Sequence, residues 1–260
     1  MRKCFLNHRP WRVCVFMALL VVLVFFPTAC KTQEVDKDLN FPGLTWGMSS
    51  DEVFEILGIT EEQIISADDN ERSEWYLVAD VDVFGEKCFR LALDFMDVTY
   101  SEDFPLNEGV ELKGKKGLIA ANVIFEDDTD MAKVFKKAEK LYGDTIPGYY
   151  DSSSMGYAQM REESDILKFW GTQRLSEVIS GQLSDSYKTL WKPYRMDLWE
   201  MTSPDAYDFD MADEDWDDFL ENGRLVTVTW SNNEAENGKI LNFNAFHLAV
   251  YNELKTHIEN

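Results

Sequence analysis

The chain has 260 residues, with 25 Lys and Arg against 48 Asp and Glu, for a formal net charge of −23. So acidic a surface repels phosphate backbones and anionic headgroups, which sets nucleic acid aside as a partner. Hydrophobic residues make up 45% and aromatic residues 13% of the chain, enough for a sizeable core, so the charge does not imply disorder.

Arg2, Lys3, Arg9 and Arg12 precede an unbroken apolar run from Val13 to Phe26. The run is shorter than the roughly 20 residues that a membrane-spanning helix needs. With its basic flank it predicts a removable export signal over residues 1–29. The segment Pro27-Thr28-Ala29-Cys30 resembles the lipobox of bacterial lipoproteins, although Pro27 stands where that family usually has Leu. The resemblance implies that Cys30 is acylated through sulfur and becomes the N-terminus. It also implies that the protein is held by lipid on the extracytoplasmic face of a cell membrane. Two or three acyl chains make such an attachment stable. Cys4 and Cys14 leave with the signal, so Cys88 is then alone and no disulfide forms within the mature chain. Its place in an apolar, alternating segment predicts a small buried hydrophobe rather than a nucleophile.

Lys31 to Asn40 is polar and aperiodic and reads as a tether over 30–40, with the globular region at 41–260. In Trp46-Gly47-Met48-Ser49 and the residues that follow, Ser49 and Glu52 form a capping box. Val53, Ile56 and Leu57 share one helical face, and Gly58 is placed to end the helix. Thr60 and Gln63 repeat the capping pattern, so a second short helical turn is expected. From Trp75 to Phe84 and from Cys88 to Phe95 the period changes to two, with Gly85-Glu86-Lys87 between, which predicts an antiparallel hairpin. A third strand is expected from Leu118 to Phe125, then a helix capped by Asp128 or Thr129, carrying Met131, Val134, Phe135, Ala138, Leu141 and Tyr142 and stopped by Gly143.

Pro147 to Ser164 reads as a loop, Arg174 to Leu190 as a region holding a helix, and Ala212 to Glu221 as a helix stopped by Asn222-Gly223. Val226, Val228 and Trp230 predict a strand, Ser231 to Gly238 a turn, and Ile240 to Tyr251 a further strand. Helices and antiparallel strands in separate runs indicate the α+β class, with short helices packed on an antiparallel sheet. The sequence leaves open whether 41–145 and 165–260 form one domain or two subdomains.

The Trp46-Gly47-Met48-Ser49 opening with Glu52, Val53, Leu57 and Gly58 resembles small envelope lipoproteins of the BamE/SmpA type and domains like the β-lactamase-inhibitor protein. It also resembles Firmicutes lipoproteins that begin with the same four residues. The likeness covers Leu44 to about Gly143. It implies a non-catalytic scaffold or binding module, and it carries over no functional residue.

Motifs with chemistry are few. Gly109 to Lys116 falls one residue short of a phosphate-binding loop, with Lys116 where a Ser or Thr belongs, and is read as a turn. The acidic run Asp205 to Glu221 fits no EF-hand register, and is read as a solvated surface with no metal. His247 and His257 are too far apart for a helical zinc pair. A Ser–His–Asp site at His247 depends on partners that only the fold reveals. No catalytic residue and no cofactor is assigned. Trp170, Trp191, Trp199, Trp216 and Trp230 lie among carboxylates, an arrangement that also builds sugar sites. The expected function is therefore a lipid-anchored envelope module that contacts a protein or small ligand, with carbohydrate binding or glycoside processing as the alternative.

Overall fold

The structure is a computed structural model that describes residues 35–99, 114–146, 166–181, 183–187, 217, 219–221, 223–233 and 238–259. The signal segment, Cys30, Trp191, Trp199, Trp216, the 147–164 stretch and most of the acidic run lie outside these residues.

The first helix, α1 (Ser50–Leu57), begins and ends as its sequence dictates. Ser49 accepts the Glu52 N–H, the Glu52 carboxylate accepts the Ser49 N–H at 2.9 Å, and Gly58 closes the helix at φ 67°. The repeated capping pattern yields only a single 3₁₀ turn, Glu61–Gln63. Strand β1 (Ile64–Asp69) follows, then β2 (Ser73–Val78), the two-residue β3 (Asp82–Val83) and β4 (Glu86–Met96). The tight turn is Phe84-Gly85 rather than Gly85-Glu86-Lys87, because Val83 pairs with Glu86. Both turn residues are left-handed, at φ 54° and 67°, as a two-residue hairpin with a right-handed twist requires. The predicted first strand thus breaks at Val78, and its two pieces pair with different parts of β4: β3 with Glu86 and Lys87, β2 with Leu91 to Met96.

Next come β5 (Gly117–Phe125), α2 (Met131–Tyr142), β6 (Ile166–Gly171), α3 (Leu175–Val178), β7 (Thr227–Asn233), β8 (Gly238–Asn244) and α4 (Phe246–Glu259). Helix α2 is capped by Asp130 rather than by Asp128 or Thr129, and the Asp130 carboxylate accepts the Ala132 N–H. The 174–190 region holds two short helical pieces, α3 and 183–187, parted at Gly181 with φ 57°. The strand expected to reach Tyr251 stops at Asn244, whose side-chain oxygen accepts the Phe246 N–H and opens a helix. Phe246, Val250 and Leu254 recur every fourth residue and are buried, a helical period hidden by the continuous apolar run around them.

The sheet is antiparallel throughout, in the order β1-β2-β4-β5-β8-β7-β6, with β3 beside β4. The fold is α+β. Directly opposed residues on neighbouring strands point to the same side. One side therefore carries Tyr76, Leu93, Ala121, Phe243 and Val228 in one cross-strand row, and Leu91, Val123, Leu241 and Trp230 in the next. Helices α1 and α2 cover this side: Phe54 meets Tyr76 edge-on at 4.9 Å, Phe135 meets Trp230 at 4.4 Å, and Tyr142 meets Phe243 at 6.2 Å.

The residues expected in the tether are partly built into this layer. Leu39 is buried, the Asp36 N–H donates to the Leu141 carbonyl at 2.7 Å, and Tyr142 donates its hydroxyl to the Asn40 carbonyl at 2.7 Å. From Val35 onward the chain is one compact unit. The stretches 41–145 and 165–260 share its single sheet through the β5–β8 pairing. Among the described residues no helix is long and apolar enough to cross a membrane.

Candidate functional site

The other side of the sheet has a different chemistry. Its cross-strand rows run Asp68, Trp75, Asp94, Ala120, Asn244 and Thr227, and then Ser66, Leu77, Ala92, Asn122, Asn242 and Thr229. Between the edge strand β1 and β7, the positions on β4, β5 and β8 occupy the middle of the sheet, where an apolar residue would add stability if the face were only core. Instead β5 and β8 place amides there, and β7 places hydroxyls beside them. Asn242 donates to the Asn122 side-chain oxygen at 2.5 Å.

The face is not equally open along its length. Thr227, Thr229 and Asn244 are buried, and Phe169 lies opposite Thr229 and is buried too. Arg224 lies over Gly171, where an added Cβ would come within 2.9 Å of its side chain. Toward β1 the face opens: Asp68 is exposed, and Trp75, Asp94, Asn122 and Asn242 keep part of their surface. A β-bulge sits in the β4–β5 ladder between Asp94 and Phe95. Bulges of this kind re-aim side chains and are frequent beside binding sites.

Asp94 is the unusual group on this face. Its carboxyl is hemmed in by the sheet and makes no hydrogen bond or ion pair among the described residues. Burial alone pushes its pKa up to about 7, because the charged form gains nothing in return for lost hydration. Asp68, two strands away across Trp75, is exposed to solvent.

The residues singled out from sequence fall elsewhere. Trp170 is 1% exposed and donates to the Gly143 carbonyl at 3.0 Å, and Trp230 packs on Phe135, so both serve the core. His247 is buried, with Nδ1 at 2.5 Å from the Tyr187 hydroxyl and rings of Phe219 and Phe246 against it. Burial pushes its pKa down to about 3, so the ring is neutral among its described neighbours. His257 is exposed in the last turn of α4. Cys88 is 2% exposed and burial raises its thiol to about 11, which removes the thiolate needed for attack. Lys116, at the end of the loop that falls short of a phosphate motif, bonds the Asp69 carboxylate and the Asn70 carbonyl, with Glu74 at 3.6 Å. Glu221, at the end of the acidic run, pairs with Arg174. Among the described residues no three His, Cys, Asp or Glu side chains gather as a metal cage.

The Asp68, Trp75, Asp94, Asn122 and Asn242 face was missed because its signal is a cross-strand register, which connects segments up to 174 residues apart only once β5 pairs with β8. No family model, curated protein or solved structure matches the chain.

Proposed function

We propose that this chain is a lipid-anchored, extracytoplasmic binding module, attached through Cys30, whose ligand-contacting surface is the open polar face of the sheet. The observation that carries the reading is the placement of Asp94, Asn122 and Asn242 on central strands, on the side opposite α1 and α2. Groups that cost stability where packing would favour apolar ones mark a surface kept for contact. The Trp46 to Ser49 likeness to envelope lipoproteins points the same way but serves a structural purpose here: Gly47 donates to the Leu118 carbonyl at 2.9 Å and Leu118 donates to the Met48 carbonyl at 2.8 Å.

Two measurements test the reading. The Asn122→Val/Asn242→Val pair removes both partners of one hydrogen bond, a change that is close to neutral or stabilising when the bond is not structural. Thermal melting is expected at or above the parent temperature, and a fall of more than about 2 kcal/mol, the scale of a core deletion, makes the amides scaffold instead. Cys30→Ala is expected to move the protein from the detergent phase to the aqueous phase. Unchanged partitioning removes the anchor from the reading.

A further inference from the structure

The open end of the polar face has an aromatic ring set between two carboxyl groups. Asp68 pairs with Trp75, and Trp75 pairs with Asp94, so the three side chains stand side by side on adjacent strands and on one face. Strand spacing places neighbours about 4.8 Å apart and the two aspartate Cα atoms roughly 10 Å apart. Asn122 lies diagonally from Asp94, about 7 to 8 Å away, and its amide partner Asn242 continues the row.

We propose that the Asp68, Trp75 and Asp94 row is a subsite for an uncharged saccharide, which extends over Asn122 and Asn242; this rests on the reading of the polar face as the binding surface. A pyranose presents C–H groups on its flat face and hydroxyls around its edge. The C–H groups carry partial positive charge and suit the negative face of an indole. The edge hydroxyls are donors and acceptors at once, and carboxyl oxygens beside the ring and amides further on offer both roles. Asp68 is exposed and Trp75 is half-buried, so a ring can reach this end of the row, while the Asp94 carboxyl lines its floor.

Charge narrows the class. A chain of net charge −23, with two aspartates at the ring, disfavours uronic acids and phosphorylated sugars. The arrangement also favours holding over cutting. An inverting glycosidase leaves a water between two carboxyl groups about 6.5 to 9.5 Å apart, and here Trp75 stands in that gap.

The test is calorimetric titration of the full lipoprotein in a detergent without sugar headgroups, with cellopentaose, maltopentaose and chitopentaose as probes. At least one is expected to bind saturably. Trp75→Phe keeps an aromatic face and is expected to retain most of the affinity, whereas Trp75→Ala weakens it by about tenfold or more. Asp68→Asn and Asp94→Asn are expected to weaken it by smaller factors, and melting curves confirm that each variant is folded. No binding of any probe up to about 10 mM overturns the saccharide class. With the Asn122→Val/Asn242→Val result unchanged, that failure leaves the binding face itself in place. Binding that ignores Trp75→Ala overturns the subsite, and release of shortened sugars overturns the non-catalytic reading.

Discussion

At the scale of single residues, the half-buried Asp94 and the buried His247 bend the pH dependence of stability in opposite directions. Asp94 holds its proton up to about pH 7 in the folded chain, while its ordinary value is 3.8. Below the lower value both states are protonated and the group is neutral to stability. Between the two values the folded state keeps a proton that the unfolded state has lost, so stability falls as pH rises, and the full penalty is present above about 7. His247 works the other way: its depressed value means that protonation of the unfolded chain below 6.5 favours unfolding, so its contribution grows with pH. Asp94→Asn isolates the first effect. The variant is expected to melt several degrees above the parent at pH 8, where about 2–4 °C corresponds to 1 kcal/mol in a chain of this size, and to converge with it near pH 4. A melting difference that does not change between pH 4 and 8 would show that Asp94 ionises as an ordinary surface carboxylate.

Among the elements, the tightest coupling lies where the Trp46 to Ser49 opening crosses the start of β5. Gly47 has φ 84°, a left-handed conformation that side chains resist. A Cβ on Gly117 would lie 2.8 Å from the Gly47 Cα and 2.9 Å from its carbonyl oxygen, both backbone atoms that cannot swing aside. Gly117→Ala is therefore expected to cost about 1–3 kcal/mol, the range for overpacking, in a urea unfolding experiment. An unchanged midpoint would mean that the two segments do not approach in solution. The helix itself was legible from sequence because Ser49, Glu52 and Gly58 act within one or two turns. So were β4, β5 and α2, whose apolar periods run for whole elements. The elements misread are those where local rules compete. Phe84 enters a left-handed turn that its own preference opposes, supported by the Lys137 ammonium on its carbonyl and by the Tyr142 ring. At the start of α4, Phe246 to Val250 is apolar at nearly every position, so strand and helix periods both fit, and the Asn244 side-chain cap decides between them. The polar face was not legible at all, because neighbours such as Trp75 and Asp94 become neighbours only through β2–β4 pairing.

For the molecule as a whole, the decisive join is the antiparallel ladder between β5 and β8, from Ala120 opposite Asn244 to Phe125 opposite Lys239. It closes the centre of the sheet from strands far apart in sequence. The core repeats the join: Phe41 meets Phe243 at 5.1 Å, and Tyr142 meets both Trp170 and Phe243. A chain cut after Ile146 would keep β1 to β5, α1 and α2 but would leave the β5 edge unpaired. It would also expose the side of Tyr142 and Phe41 that Phe243 and Trp170 cover. An open edge in mid-sheet and bare aromatic surface both favour aggregation over folding. The fragment 35–146 is therefore expected to be insoluble or unstructured alone. The intact chain is expected to lose secondary structure and tryptophan packing in one shared transition, because a single core cluster runs through both halves. Far-ultraviolet circular dichroism and tryptophan fluorescence followed through the same urea titration give the measurement. Two separate midpoints, or a cooperatively folded 35–146 fragment, would divide the molecule at the β5–β8 join and make that ladder an interface between domains.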